Sequence, residues 1–307
     1  MFKYIILVVI GVFGSSLSLA QIEAVTKSGN AVLLYDDGTW RSADELKIET
    51  KAFVFAPPSF SGNIGEGSNS VSHKLAVSSS SPNSITDDEK WFRENDLSLP
   101  IYSVPNSFRG IKGEVPIGTP LSYNGEMLVR AIYSEQYNFF VYGRNFSEGR
   151  YLLITDKEVS KVLHLLDFEN YVMSPDYVEA DRMFIDQSIG WVEIEGSTLY
   201  ISHGHRTYAK SSKGMNAYIT AIDLSTYDVL WRTKPLVCNT RNFVLYDDMI
   251  VCGYGFTAEK DYMFVLNKKT GAVAQKLMIK SGPDFVIRKN NVLHVRTYNT
   301  DYIFKVD

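Results

Sequence analysis

The fold is decided by a stretch that occurs four times, as Tyr151-Leu-Leu-Ile-Thr-Asp156, Tyr218-Ile-Thr-Ala-Ile-Asp223, Tyr262-Met-Phe-Val-Leu-Asn267 and Tyr302-Ile-Phe-Lys-Val-Asp307. The four copies start 67, 44 and 40 residues apart. A second stretch repeats with a similar spacing. Phe243-Val-Leu-Tyr-Asp-Asp-Met-Ile-Val251 is repeated as Phe285-Val-Ile-Arg-Lys-Asn-Asn-Val-Leu-His-Val295. Apolar positions alternate with period two, which indicates β-strands rather than helices. The C-terminal two thirds of the chain is therefore a series of strand-built repeats.

The repeat length indicates the architecture. A unit of about 40 residues with four short strands is typical of a propeller blade, whose sheet buries both faces only when neighbouring blades stack on it. Helical repeats of this length would show 3.6-residue spacing instead. We therefore predict an all-β protein whose main body is a small β-propeller of four to five blades of four strands. Four blades are visible in the repeats, and we favour five.

The most regular repeat predicts the order of strands within a blade. Counted outward from the ring centre, strand A covers 243–246, strand B 249–253, strand C 262–267 and strand D 272–279. The last repeat ends at its C strand. Because a closed ring leaves no exposed sheet edge, an N-terminal segment is expected to supply the missing outer strand. Residues 90–118 are the candidate for that strand or for part of a further blade.

Three segments precede the propeller, which is assigned to residues 90–307. Residues 1–20 combine Lys3, a short apolar run and small residues near Ala20, which predicts a cleaved signal peptide. Residues 21–54 hold two short alternating runs joined by a turn, which predicts a small β-hairpin segment. Residues 55–89 are rich in Ser, Gly, Asn and Pro and predict a flexible, disordered linker.

These segments also predict where in the cell the protein is located. No stretch reaches the roughly 20 apolar residues that a membrane-spanning helix needs. The chain is therefore expected to be exported without a membrane span, either to the periplasm or outside the cell.

Composition excludes one class of partner. The net charge is −4, and the 31 Lys and Arg residues are scattered without a basic stripe that could follow a phosphate backbone. No nucleic-acid partner is therefore expected. The 19 Tyr and 17 Phe residues favour strands over helices. We expect a monomer whose partner is an envelope or extracellular protein, a peptide or a glycan.

One repeat resembles a known motif. The segment Ala221-Ile-Asp-Leu-Ser-Thr-Tyr-Asp-Val-Leu-Trp231 is similar to the tryptophan-docking repeat of quinoprotein-type (PQQ-like) propellers, and Val265-Leu-Asn-Lys-Lys-Thr-Gly-Ala-Val-Ala-Gln275 keeps its turn but not its Trp. The resemblance implies that Trp231 packs between blades and that Asp223 and Thr226 close a turn. Tyr227 stands where that family has Gly. The resemblance also implies a quinone-dependent oxidoreductase as an alternative function, but enzymes of that type have larger rings, so no cofactor is expected.

Long polar loops are predicted on one face of the propeller. The connections at 168–190, 203–216, 235–242 and 254–261 all open on the same rim, whereas the turns of the opposite rim are short. Such loops on a rigid scaffold are where binding sites are commonly found. The predicted function is non-catalytic binding or scaffolding at this rim. The candidate ligand-binding residues are His203, His205, Arg206, Tyr208, Lys210, Lys213, Arg241, Tyr254, Arg296 and Tyr298.

Two features of these loops leave alternatives open. His203 and His205 lie two apart and could together ligate a metal, but no local carboxylate or Cys completes a site, so no metal is predicted. The neighbouring basic residues either meet an anionic ligand or are simply solvated. Cys238 and Cys252 are both placed near this rim and form either a disulfide or two free buried thiols.

Catalytic patterns are scarce. The sequence has no G-x-S-x-G, no H-E-x-x-H and no phosphate-cradling glycine loop. Four carboxylates are placed at the rim and could supply an acid and base pair, which makes a small propeller hydrolase a further alternative. They are Asp181, Glu259, Asp261 and Asp284.

Overall fold

The computed structural model describes two compact units, residues 1–45 and 46–307, each considered by itself. The described residues are 22–25, 31–34, 40–42, 45–55, 64–83, 87–99, 101–103, 115–144, 149–169, 171, 188–204, 216–256 and 259–307. The predicted signal peptide lies outside them.

The first unit is a small antiparallel sheet. Its strands β1 (Ile22–Val25), β2 (Ala31–Leu34) and β3 (Trp40–Ser42) follow one another in the order β1-β2-β3. The predicted hairpin is the β1–β2 pair, with Ile22 opposite Leu34. The third strand was not predicted, and residues 46–54, which the sequence groups with the hairpin, belong to the second unit.

The second unit contains nineteen strands and one short helix within its described ranges. These are β4 (Phe53–Val54), β5 (Leu75–Pro82), α1 (Asp88–Glu94), β6 (Ile101–Ser103), β7 (Ser122–Tyr123), β8 (Glu126–Tyr133), β9 (Tyr137–Gly143), β10 (Tyr151–Asp156), β11 (Val162–Asp167), β12 (Ser188–Glu195), β13 (Thr198–Gly204), β14 (Tyr218–Asp223), β15 (Val229–Arg232), β16 (Val244–Tyr246), β17 (Met249–Tyr254), β18 (Asp261–Asn267), β19 (Val273–Ile279), β20 (Pro283–Lys289), β21 (Val292–Thr297) and β22 (Thr300–Val306).

The fold is β-propeller-like, with four blades among the described residues. Blade 1 is β8 to β11, extended by β4, β6 and β7; blade 2 is β12 to β15, and blade 3 is β16 to β19. Blade 4 is β20 to β22 with β5 at its outer edge. The order predicted for blade 3 is confirmed, with strand ends that differ by at most one residue. The described residues thus show the lower of the two predicted blade numbers.

Tight turns join the A and B strands. In blades 2, 3 and 4 the first turn residue has a positive φ, at Gly196 (61°), Asp247 (49°) and Asn290 (57°). Gly, Asp and Asn are the residue types that tolerate this backbone region best, and two-residue hairpins require it. These local signals explain why the A-to-B turns are short.

Apolar cores join consecutive blades. One buried cluster runs through blades 1, 2 and 3, and a second joins blades 3 and 4. Helix α1 covers the other face of blade 4, where Trp91 and Phe92 pack against Phe285 and Ile287. Asp87 caps the helix by accepting hydrogen bonds from the backbone N–H groups of Glu89 and Lys90. The segment that was a candidate for a further blade thus includes most of a helix, together with the three-residue strand β6, which pairs with β8.

The outer strand of blade 4 comes from the predicted linker. Strand β5 pairs antiparallel with β22, with Leu75 opposite Val306 and Tyr302 opposite Ser80. Both predictions for this region are therefore corrected, because residues 75–82 are a strand and residues 90–118 do not supply the missing edge. Along β5 only Leu75 is buried. Since the remaining side chains face solvent, the segment carries no apolar alternation that composition could reveal.

The tryptophan-docking contact implied by the resemblance is present. Trp231 at the end of blade 2 is 2% exposed and lies against Gly271 in the C-to-D turn of blade 3. A Cβ at Gly271 would lie 2.9 Å from indole carbon Cδ2, and the residue has a φ of 69°. Tyr227 occupies the position of Gly271 in the copy of the motif at 221–231, and it also has a positive φ of 62°. Its hydroxyl lies 3.0 Å from His164 Nδ1, which fixes this side chain despite the unfavourable backbone.

The connections define two rims. The long-loop rim consists of the connections 144–150, 168–187, 205–217, 233–243 and 255–260, and the short-turn rim consists of the A-to-B and C-to-D turns. Blade 4 departs from the predicted pattern, because its connections at 280–282 and 298–299 on the long-loop rim are short. The long loops are therefore concentrated on blades 1 to 3.

Candidate functional site

The four inner strands β8, β12, β16 and β20 surround a central channel, to which each contributes lining residues. Two polar side chains link neighbouring blades at the level of these inner strands. Arg130 on β8 donates from Nη1 to the carbonyl oxygens of Ile189 (2.6 Å) and Gly190 on β12. Asn242, just before β16, accepts from the backbone N–H of Val286 on β20 at 3.0 Å and donates back to its carbonyl. The channel is therefore lined by polar links between blades 1 and 2 and between blades 3 and 4.

Irregular pairing opens the inner strands at the level of Arg130. The register shifts between Leu128 and Arg130 on β8, between Ile189 and Val192 on β12, and between Pro283 and Phe285 on β20. A bulge leaves backbone groups unpaired and redirects side chains. This explains how a charged residue within an apolar strand can turn toward the channel and find carbonyl acceptors.

Arg130 is only partly satisfied by these contacts. Its side chain is partly exposed, yet its Nε is buried and has no hydrogen-bond partner among the described residues. Burial, and then the positive charge of Arg241, lower the pKa of Arg130 to about 10. The group is still a cation at neutral pH. A buried donor without an acceptor costs roughly 1–3 kcal/mol, so an incoming anion would meet a favourable site.

Arg241 approaches the same end of the channel from the 233–243 connection. Its backbone N–H donates to the Asp284 carbonyl at 2.9 Å, and its guanidinium lies 3.9 Å from the Asp284 carboxylate. The guanidinium also lies 5.5 Å from the centre of the Phe285 ring. Of the residues predicted from sequence, Arg241 is the one that the structure brings to Arg130. Arg130 itself was missed, although a single charge within the apolar run Met127-Leu-Val-Arg130-Ala-Ile-Tyr133 was a visible signal.

A cavity of about 280 Å³ continues the channel toward the short-turn rim. Its walls include apolar residues of all four blades, and Leu99 after helix α1 closes one side. Glu193 on β12 is the acidic residue among those that line it. Trp191 Nε1 donates to Glu193 Oε1 at 2.9 Å. Burial raises the pKa of Glu193 to about 7, and the hydrogen bond from Trp191 opposes this shift.

His203 was predicted at the rim but lies in the core. It is 1% exposed and its ring stacks on Tyr218 at 5.2 Å, with Phe168 at 5.2 Å and Tyr171 at 5.4 Å. The structure thus places His203 in the core rather than at the rim, and its role in ligand binding stays a prediction. His203 lies near the end of β13, where its imidazole is packed among these aromatic rings and is buried.

Arg296 and Tyr254 were also predicted as ligand-binding residues and are structural instead. Arg296 is 2% exposed, donates to Asp88 at 2.8 Å and lies 5.3 Å from the Trp91 ring. It thereby attaches helix α1 to blade 4. Tyr254 is 3% exposed and its hydroxyl donates to Glu259 at 2.7 Å, which closes the 255–260 connection.

Replacing Tyr254 by Phe should lower the free energy of unfolding by about 1 kcal/mol, because one partly buried hydrogen bond is lost without loss of packing. Ligand affinity should not change, since the hydroxyl faces Glu259. Urea denaturation of the variant and the parent protein gives the comparison. A variant with parental stability and weakened binding would restore Tyr254 to the site.

The remaining predicted rim residues divide into two groups. Tyr298, in the connection between β21 and β22, is 69% exposed and lies at the long-loop rim. The other five lie outside the described residues. They are His205, Arg206, Tyr208, Lys210 and Lys213.

The two cysteines are buried and are free thiols in this structure. Cys252 Sγ donates to the Val237 carbonyl at 3.5 Å, and Cys238 Sγ lies 3.5 Å from Thr240 Oγ1. Burial, and then the neighbouring Cys238, raise the pKa of the Cys252 thiol well above its usual value. A disulfide between them in an oxidising compartment stays a prediction.

The rim carboxylates are engaged in local contacts. Asp284 faces Arg241, and Glu259 accepts from Tyr254. Burial, and then the charge of Glu259, raise the pKa of Asp261. Asp181 lies outside the described residues. The hydrolase alternative stays a prediction without an assigned acid and base.

Metal-binding clusters and membrane-spanning helices are both absent from the described ranges. These ranges contain no group of three or more His, Cys, Asp or Glu side chains that could hold a metal ion. Within the same ranges, no helix is long and apolar enough to cross a membrane.

The fold defines a β-propeller-like protein with a cationic residue in its central channel. No protein-family model matches the chain, and no curated protein matches it. Among solved structures the chain is similar to the computationally designed Ika8 protein, with 9% sequence identity over 57% of this chain and 44% of that chain and a TM-score of 0.37. It is also similar to a europium-containing methanol dehydrogenase, with 9% identity over 49% of this chain and 24% of that chain and a TM-score of 0.31. For BamB from Moraxella catarrhalis the identity is 12% over 93% of this chain and 78% of that chain, with a TM-score of 0.33. The chain spans less than half the length of the first two. Similarities this low do not place the chain in a family.

Proposed function

We propose that this chain is an exported, non-catalytic binding protein that holds an acidic group of a partner protein, peptide or glycan at the long-loop end of its channel. The observation that carries the proposal is Arg130, whose buried Nε has no acceptor among the described residues. The apolar run of residues 1–20 supports export.

The charges at this end of the channel favour an anion. Arg130 and Arg241 are close enough for repulsion to lower the pKa of Arg130, and the Asp284 carboxylate lies 3.9 Å from Arg241 Nε. Protein surrounds the site, so Coulomb attraction is less screened there than at an exposed surface. A carboxylate that accepts from Arg130 Nε would both satisfy the donor and offset the repulsion.

The surroundings suit a binding role. Long connections join the strands of blades 1, 2 and 3 on the long-loop rim. Loops on a rigid scaffold are where binding sites are commonly found, and the arginine supplies a specific anchor.

Replacing Arg130 by Gln should weaken the binding of acidic probes about tenfold or more, because charge-assisted hydrogen bonds contribute roughly 1.5–3 kcal/mol. The probes are a capped tetraglutamate peptide and a galacturonic acid trimer, compared by calorimetry with tetraglutamine and a neutral galactose trimer. Arg288→Gln is the matched control, because Arg288 is an exposed arginine on inner strand β20 near the short-turn rim. Whichever acidic probe binds more tightly identifies the partner as peptide-like or glycan-like.

Three results would contradict the proposal. Equal affinity for the acidic and neutral probes would remove the role of the anion. An equal loss in Arg288→Gln would show a general effect of charge, and turnover of either probe would indicate an enzyme.

A further inference from the structure

We propose that the cavity between Arg130 and the short-turn rim is a second binding site, for a small apolar molecule that carries one protonated amine, with Glu193 as the partner of the ammonium group. This inference does not depend on the proposed function, because it concerns other residues and a ligand of opposite charge.

The cavity has the size and lining for such a ligand. Its volume of about 280 Å³ lies just below the range of about 300–1,000 Å³ typical of drug-sized ligands, which suits a molecule with one ring and a short chain. The walls are mostly apolar and come from inner strands of all four blades. They include Leu99, Ile132, Phe139, Val192, Phe243 and Val286.

Glu193 supplies the polar recognition element. Its carboxylate accepts from Trp191 Nε1 at 2.9 Å, which fixes its position in the wall. Trp191 lines the same cavity, so its indole also offers an aromatic surface beside the carboxylate. An ammonium group between a carboxylate and an aromatic face gains both an ion pair and a cation–π contact.

The other charged groups near the cavity do not provide that cation. Arg288 also lines the cavity, but its Nε donates to the Asn290 carbonyl at 3.2 Å and its guanidinium lies 4.0 Å from the centre of the Tyr246 ring. Glu195, further along β12, pairs with Lys268 at 2.6 Å. Tyr133 is the remaining titratable residue of the lining and is uncharged at neutral pH.

The ionisation of Glu193 makes this site dependent on pH. Burial raises its pKa to about 7, so the free carboxyl is mostly protonated at pH 6 and mostly ionised at pH 8. An alkyl ammonium keeps its proton throughout this window, because its pKa is about 10. Amine affinity should therefore rise as the pH rises from 6 to 8, with proton release on binding near pH 7. A neutral molecule of the same shape should show neither effect.

The test measures binding of 2-phenylethylamine, 2-phenylethanol and phenylacetate to the full chain by titration calorimetry at pH 6, 7 and 8. We expect the amine to bind best, with an affinity that rises roughly tenfold across this range as Glu193 ionises. In Glu193→Gln the amine should bind no better than the alcohol and should lose its pH dependence. Glu195→Gln is the matched control.

Several outcomes would overturn the inference. They are absence of amine binding, equal affinity for amine and alcohol, or an equal loss of amine binding in Glu195→Gln. If Glu193→Gln does not fold, the pH dependence and the proton release of the parent protein decide the question, and a flat profile from pH 6 to 8 rejects Glu193.

Discussion

Replacing Trp231 by Ala is expected to lower the free energy of unfolding by about 3–5 kcal/mol, the range for loss of a large aromatic residue from a core. Trp231 is 2% exposed and fills the space above Gly271, where a side chain would overlap the indole. Its loss would leave a cavity between blades 2 and 3 that the rigid turn at Gly271 cannot close. Urea denaturation followed by far-ultraviolet circular dichroism measures the change.

The neighbouring residue provides the control for Trp231. Leu230 is 43% exposed on the same strand, so Leu230→Ala should change stability by less than about 1 kcal/mol. If the two variants lose similar stability, Trp231 does not join the blades as described.

Replacing Leu75 by Asp is expected to destabilise the propeller by several kcal/mol, because it places an unpaired charge in the core between blades 3 and 4. Leu75 is 3% exposed in the cluster that contains Val286, Leu293 and Phe304. Its backbone also exchanges two hydrogen bonds of 2.9 Å with the Gln275 side chain of blade 3.

Val77 offers a matched control on the same strand. It is 52% exposed, so Val77→Asp should be tolerated, and thermal unfolding of both variants shows the difference. Equal melting temperatures for Leu75→Asp and the parent protein would mean that residues 75–82 are a linker after all.

The blades could be predicted because their strands and turns are marked by residues close together in the sequence. In blade 3 the turn at Asp247-Asp248 marks the start of a short apolar run, and strands β17 and β18 are buried along most of their length, so the sequence and the structure agree on where the strands lie. Strand β5 could not be predicted in this way, because one buried residue among seven exposed ones gives no detectable apolar pattern. Its strand conformation comes from the backbone of β22, which is a tertiary effect.

The candidate site shows the same division between local and tertiary information. Arg241 was predicted because it lies in a long connection, and such positions can be read from strand order. His203 and Arg296 lie near strand ends too, but their direction depends on packing against Tyr218 and Trp91, which are distant in sequence or on another element. The charge of Arg130 within its apolar run was visible in the sequence, but the bulge that turns the side chain toward the channel was not, so the residue was missed.

The most direct measurement of the proposed function is the side-chain nuclear magnetic resonance signal of Arg130 Nε–H during titration with the capped tetraglutamate peptide or the galacturonic acid trimer. The signal is assigned by its absence from Arg130→Gln. A carboxylate that accepts from this donor should shift the proton signal strongly downfield and slow its exchange with water. An Arg130 signal that stays in place while the probe binds and shifts other residues would contradict the account.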